Sequence, residues 1–563
     1  MNLRFAIKTA LFVSMAAAWP FSAQAASPGA TTGSRANTSA LQNGARYDRF
    51  IVTYRDGSTE QTNDAAMLQN IDAAISRSGV NRTILRGGRA GPRIKASLKR
   101  KLAIGGKVVR TSRKLDRAEA ETLMQQIATD PAVVSVTPDV MLHRGRDIPM
   151  PESPLQAVVT PDDTYYPFYQ WNLKAPDGTA TYFGDANLGG TYVNSAWSLS
   201  DGTGIVVAVL DTGITRHVDV DTSMADAGYD FISDAFVSGR PTDARVPGGW
   251  DLGDWTTTEP WLSACTSASN PPSNSSWHGT HVASTAGAEL TNNARGMAGI
   301  AYNAKVLPVR VLGHCGGYTS DIADAIVWAA GGHVDGVPDN PHPADVINLS
   351  LGGGGHCRRS DPTGRAVQEA TRLGAVVVVS AGNSNDDARN YTPASCPGVI
   401  TVAATGITSR RAYYSNYGRS VEIAAPGGGV YQDDDPATGA ISYDGFVWQA
   451  LNNGTTTPVP LGTRYSGYAG TSQAAPHVSG VVALMQSARK TLGMRPLKPK
   501  QVLAILKETA YTPMVTPDKR RSIGAGILNA NAAVYEAVEE HHEDEEHDGH
   551  PDRGDRHEHG DEG

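Results

Sequence analysis

The sequence is short of cysteine, of long apolar runs and of surplus positive charge, and each shortage removes a class of protein. Four cysteines occur in 563 residues, Cys265, Cys315, Cys357 and Cys396, and none forms a Cys-x-x-Cys pair. That spacing argues against a zinc knuckle and a dithiol redox motif. No stretch after the N-terminal leader is long and apolar enough to span a bilayer, so no membrane anchor is expected. The 57 acidic residues outnumber the 49 basic ones, for a net charge of -8. Nucleic-acid binding, which calls for a basic patch or stripe, gains no support.

What is present describes a globular protein of more than one unit. Apolar residues make up 40% and charged residues 19%, and the length exceeds what one core serves. Gly at 60 and Pro at 33 imply many turns. Arg4 and Lys8, the apolar run Thr9 to Phe21 and Ala23-Gln24-Ala25 read as a signal peptide over 1–26. Export makes an even cysteine count read as two disulfides. Of three connectivities, nearest neighbours, Cys265–Cys315 and Cys357–Cys396, are the expected pairing.

After a Ser/Thr/Gly/Ala-rich lead-in, Arg49 to Tyr54, Lys107 to Arg110 and Val133 to Val136 read as strands. Asp116 to Ala128 reads as a helix with Asp116 as N-cap. A small α+β domain therefore occupies about 46–143. From about 160 to 538 the pattern changes. Gly204–Leu210, Ala304–Val311, Val346–Ser350 and Ala375–Val379 are near-continuous apolar runs separated by helical stretches. They predict an α/β unit with a mostly parallel sheet buried on both faces, whose ligands bind beyond the carboxyl ends of the strands. Residues 539–563 carry a net charge of about -10 with almost no apolar side chains, so a disordered acidic, His-rich tail is expected.

Three segments carry candidate chemistry. Asp211 ends the first apolar run, in Val209-Leu210-Asp211-Thr212-Gly213; alone it could as well cap a helix. His278 lies in His278-Gly279-Thr280-His281-Val282-Ala283, before a predicted helix Val282 to Ala288. Two close histidines suggest metal, but the Glu of His-Glu-x-x-His and a third ligand are missing. Ser472 lies in Gly470-Thr471-Ser472-Gln473-Ala474-Ala475-Pro476, before a predicted helix His477 to Leu484. A serine hydroxyl needs a base to become a nucleophile, an imidazole supplies it, and a carboxylate fixes the imidazole. Gly470 to Ala474 fails the Gly-x-Ser-x-Gly elbow, which counts against an esterase or lipase.

The order Asp, His, Ser and the blocks Leu210 to Gly213, His278 to Ala283 and Gly470 to Val478 resemble the signature blocks of subtilisin-like serine proteases. The resemblance covers most of 160–538. It implies a secreted endopeptidase, extracellular or else periplasmic, acting on proteins or peptides as a monomer. In Ser380-Ala381-Gly382-Asn383 it makes Asn383 an oxyanion donor with the Ser472 backbone N–H. Ser350, Leu351 and Gly352, with Gly316 and Gly317, would flank an extended peptide, and Ala381 and Gly382 would help wall its pocket. Those uncharged walls predict apolar or aromatic side chains before the cleaved bond.

Residues 27–158 would be an inhibitory propeptide with a ferredoxin-like domain, partner to its own catalytic domain (159–538) and cleaved between Arg144 and Pro161. Basic residues crowd Arg82 to Arg117, which suits attraction to a more acidic body. Calcium is expected as a structural cofactor; Asp219 and Asn293 resemble one such site, although the second loop differs in length. Asp230, Asp234 and Asp243 form either a further site or a solvated loop. Two other classes fit the sequence less well. An inactive binding protein needs a broken triad, whereas Asp211, His278 and Ser472 are intact. A metal-binding protein working through its tail leaves the three blocks unexplained.

Overall fold

The protein is described as a computed structural model covering residues 35–82, 93–144, 148–149, 162–267, 270–429, 431, 441–514, 517 and 519–539. The expected signal peptide and almost all of the tail lie outside the described residues, as does the stretch in which cleavage was placed, apart from Arg144, Ile148 and Pro149.

The N-terminal unit is a four-stranded antiparallel sheet in the order Ala96–Lys101, Gly106–Leu115, Tyr47–Tyr54, Val133–Pro138. Helices Asp64–Ser78 and Arg117–Ala128 complete a strand–helix–strand–strand–helix–strand chain, the ferredoxin-like arrangement. Asp116 caps the second helix as expected. It accepts from the Glu119 N–H at 2.9 Å, while Glu119 accepts from the Asp116 N–H at 3.1 Å. The first helix buries Met67, Ile71, Ala74 and Ile75 against Phe50, Val52, Leu123 and Met124 in one core.

The body is built on an eight-stranded sheet. Its order is Ile423–Pro426, Ile400–Thr405, Val376–Ser380, Val346–Leu349, Val206–Asp211, Lys305–Arg310, Tyr229–Asp230, Val246–Pro247. All pairs are parallel except the last. The central strands are buried on both faces, one against the helix Thr471–Thr491 and the other against Thr319–Ala329 and Pro362–Arg372. This is the subtilisin-like α/β architecture. Both disulfides join nearest neighbours, Cys265–Cys315 and Cys357–Cys396.

Ion pairs and strand pairing join the N-terminal unit to the body, beside apolar packing of Ile51, Leu102, Ile104 and Val108 in the body's core cluster. On the helix Thr319–Ala329, Asp321 meets Arg100 at 3.0 Å and Arg245 at 2.9 Å, and Asp324 also pairs with both arginines. Burial pushes the Asp321 carboxyl up, yet Arg245 and Arg100 hold it below the ordinary range. Elsewhere the strand Met141–Arg144 leaves the unit and inserts antiparallel between Gly317–Tyr318 and Leu351–Gly354. Ile148–Pro149 then pairs with Arg464–Ala469.

Candidate active site

The strand ends converge as a parallel sheet requires. Asp211 is the last residue of Val206–Asp211 and is fully buried. His278 opens a helix, His278–Ala283, rather than preceding one that begins at Val282. Trp277, at φ 52°, turns the chain so that the imidazole faces the sheet. Nδ1 of His278 lies 2.7 Å from Asp211 Oδ1, so the imidazole N–H donates to the carboxylate and its tautomer is set. The glycines of both blocks make this approach possible. A Cβ on Gly279 would stand 2.2 Å from the Gly213 carbonyl oxygen. The Gly279 N–H donates to Thr212 Oγ1 at 2.9 Å, and Thr212 donates onward to buried Asp251 at 2.6 Å.

Ser472 sits in the first turn of Thr471–Thr491, which starts six residues earlier than expected. Pro476 misled the sequence reading. It lies inside the helix and has no N–H to give the Ser472 carbonyl, which accepts from Ser350 Oγ instead. The Ser472 hydroxyl donates to the Ser350 carbonyl at 3.3 Å, and Ser350 Oγ donates to the Ser472 carbonyl at 2.7 Å. The nucleophile candidate is thereby tied to the strand end that borders the peptide slot. Asn383 Oδ1 accepts from the Thr471 N–H at 2.8 Å and from its hydroxyl at 2.7 Å. Those bonds fix which end of the amide is carbonyl and which is donor. Gly382, at φ 101°, takes a backbone conformation open to glycine, and a Cβ there would strike Asn416 Nδ2 at 2.5 Å.

A pocket of about 210 Å³ opens beside these residues, between Leu351–Gly353 and Ser380–Ser384, closed by Tyr391, Thr392 and Ala394. Arg144 is the charged residue among the described lining. Leu351 pairs with Arg144, Gly352 with His143 and Gly317 with Leu142. A Cβ on Gly316 would come within 2.5 Å of the Leu142 carbonyl oxygen. The side chain of Leu142 is fully buried among Ile51, Leu312 and Leu351. The predicted slot residues Ser350, Leu351, Gly352, Gly316 and Gly317 thus border one extended strand, and Ala381 and Gly382 line the pocket beside it.

The metal expectations fare differently. Asp219 Oδ1 accepts from Asn293 Nδ2, and Oδ2 accepts from the Met297 N–H at 3.1 Å and the Tyr465 hydroxyl at 3.0 Å. Asn293 therefore turns an N–H, not a lone pair, toward Asp219, and this arrangement does not fit a calcium ion. Beside it Glu289, buried and next to Asp219, is pushed well above the carboxylate range by burial and by Asp219. Asp230 is taken by Arg310 at 2.8 Å, Asp234 caps Phe236, and Asp243 accepts from Ala235, so these three do not converge. His281 Nε2 donates to the Ser466 carbonyl at 3.2 Å, and its ring stacks on Tyr468. Among the described residues no group of three His, Cys, Asp or Glu side chains is placed to hold a metal.

Sequence reasoning passed over Asp251, Asp254, Glu289 and Thr471. Asp251 and Asp254 lie in Asp251-Leu252-Gly253-Asp254, a loop with no strand or helix pattern to mark it.

The Subtilase family model matches residues 202–559. The chain belongs to the subtilase family, and it is a serine endopeptidase. It is similar to an extracellular protease of Xanthomonas campestris pv. campestris, 43% identical over 87% of this chain and 73% of that one. An extracellular basic protease of Dichelobacter nodosus is 39% identical over 86% of this chain and 70% of its own. Among solved structures, a protease from Pseudoalteromonas arctica aligns with TM-score 0.57 and 42% identity, covering 67% of this chain and all of that one.

Proposed function

We propose that the protein is a secreted endopeptidase, made as a zymogen, that cleaves peptide bonds by nucleophilic attack of Ser472. His278 takes the serine proton and later delivers it to the leaving amine. Asp211 holds the imidazole in place and stabilises its cation. Asn383 Nδ2 and the Ser472 N–H donate to the oxyanion, with the N-terminus of the helix Thr471–Thr491 adding its positive pole. The N-terminal unit acts as a propeptide: it occupies the cleft until the link to the body is cut. Export and an extracellular site of action follow the relatives, and the uncharged pocket walls suit apolar or aromatic side chains before the cleaved bond.

The observation that carries this reading is the strand Met141–Arg144. It lies as an added strand between two body segments, the way an extended peptide is bound through backbone. The test compares the wild-type chain with Ser472→Ala for self-trimming on a denaturing gel and for casein hydrolysis. The reading expects a trimmed, active wild type and a full-length, inert variant. Casein hydrolysis by the variant at the wild-type rate would refute it.

A further inference from the structure

One acid in the cleft has no part in the proposed chemistry. Asp254 stands at the rim of the slot, in the loop between the Asp211 and His278 blocks. Its side chain is 8% exposed, and its Oδ2 lies 3.5 Å from the guanidinium Nε of Arg144 on the inserted strand. The carboxylate is held in place from behind. The Ser276 N–H donates to Oδ1 at 2.6 Å and the Ser276 hydroxyl to Oδ2 at 2.8 Å, two residues before His278. The loop itself is fastened. Its Trp255 carbonyl accepts from His314 Nδ1 at 2.7 Å, Trp261 stacks on His314 with ring centroids 3.6 Å apart, and Cys265 is bonded to Cys315. A rigid, desolvated carboxylate aimed into a peptide slot is a recognition element for a cation.

The position it would read follows from the register. Arg144 faces Leu351, whose neighbours form the pocket wall. A substrate running as this strand runs places its next residue in the pocket. Arg144 then stands in for the second residue before the cleaved bond. We propose that Asp254 is a specificity-determining residue that selects arginine or lysine at that second position. The inference rests on the protease reading above. Other titratable groups near Asp254 are Asp251, whose carboxyl burial and Asp254 push up to about 7, the cation Arg310, and His314, whose pKa burial pushes down. Arg310 is already engaged by Asp230 and the Ser238 carbonyl, which leaves Asp254 to pair with the slot.

The test measures kcat/KM of the matured enzyme on succinyl-Leu-Ala-X-Phe-p-nitroanilide, with X as arginine, lysine, norleucine or aspartate, and casein hydrolysis as control. Arginine should exceed norleucine by roughly tenfold, with aspartate poorest, as a single desolvated charge pair allows. The arginine-to-norleucine ratio should fall toward one in Asp254→Asn, and should shrink in the wild type as NaCl rises to about 1 M. A wild-type ratio near one with casein still cleaved overturns the role of Asp254 alone, and so does a ratio that Asp254→Asn leaves intact. Should Asp254→Asn fail to fold, the wild-type series and its salt dependence decide. Absence of any Ser472-dependent cleavage, of casein included, overturns the protease reading and this one with it.

Discussion

The N-terminal unit and the body are both made of strands and helices, yet they hold together by different means. The body's central strands are buried on both faces, and two disulfides close loops of 50 and 39 residues. The N-terminal unit has antiparallel strands with one face on its own core, as the alternating exposure of Ala96–Lys101 illustrates. It contains no cysteine and meets the body through ion pairs on one helix, inserted strands, and apolar packing of Ile51, Leu102, Ile104 and Val108 on the outer face of its sheet. Within each unit a separate core remains apart from that shared cluster, with Phe50, Met67 and Leu123 on one side and Val478 and Val481 on the other. That difference is what the proposed zymogen reading calls for.

Asn383→Ala should leave the fold and the inserted strand unchanged while turnover falls by about 10²–10³-fold, a magnitude known from the subtilisin fold. Steady-state hydrolysis together with a melting curve checks this, and a lost fold would reassign Asn383 to structure. Replacing Cys357 and Cys396 by serine should lower the body's stability by about 4 kcal/mol on a chain-entropy argument for a loop of that length. Denaturant unfolding of the matured enzyme measures it.

Arg100→Ala should speed release of the N-terminal unit by about tenfold, read from the lag before casein hydrolysis begins, because the ion pairs of Asp321 and Asp324 with that unit are then lost. An unchanged lag would mean that the inserted strand and the apolar contacts set the grip.

A pH effect concerns the core behind the nucleophile. His477 Nδ1 donates to the Gln473 carbonyl and Nε2 accepts from Asn172, both at 2.8 Å, so the neutral ring is fully bonded. Burial pushes its pKa down to about 4. The unfolded chain takes up a proton near pH 6.5, whereas the folded one does not until near 4. The resulting stability is therefore present above about 6.5 and lost as pH falls toward 4, on the order of 3 kcal/mol in all. Unfolding free energies between pH 7 and 5 should show this slope in the wild type and a shallower one in His477→Gln.

Legibility of the sequence followed the physics of each feature. The apolar runs at 206–211, 305–310, 346–349 and 376–380 were readable because burial on both faces leaves an uninterrupted apolar signature. The three blocks were readable because close approach demands glycine, as at Gly213 and Gly279. The helix Asp64–Ser78 was missed although Met67, Ile71, Ala74 and Ile75 repeat at helical spacing. The polar residues between them dilute the pattern. The helix starts at His278 and Thr471 were misplaced because neither has a capping side chain. Asp254 was not legible at all. Its meaning depends on Arg144, 110 residues away and in another unit, and no local pattern encodes that pairing. The calcium expectation rested on the resemblance of Asp219 and Asn293 to a family site, and the loop's altered length hid that Asn293 Nδ2, the Met297 N–H and the Tyr465 hydroxyl donate to Asp219.

The most direct measurement of the central claim is labelling of the matured protein with a serine-directed fluorophosphonate, followed by peptide mass analysis. The account predicts one adduct per chain, on the peptide containing Ser472, and labelling slowed at least about a thousandfold in His278→Ala. An adduct on another residue, or undiminished labelling in His278→Ala, would contradict the assignment of Ser472 and its base.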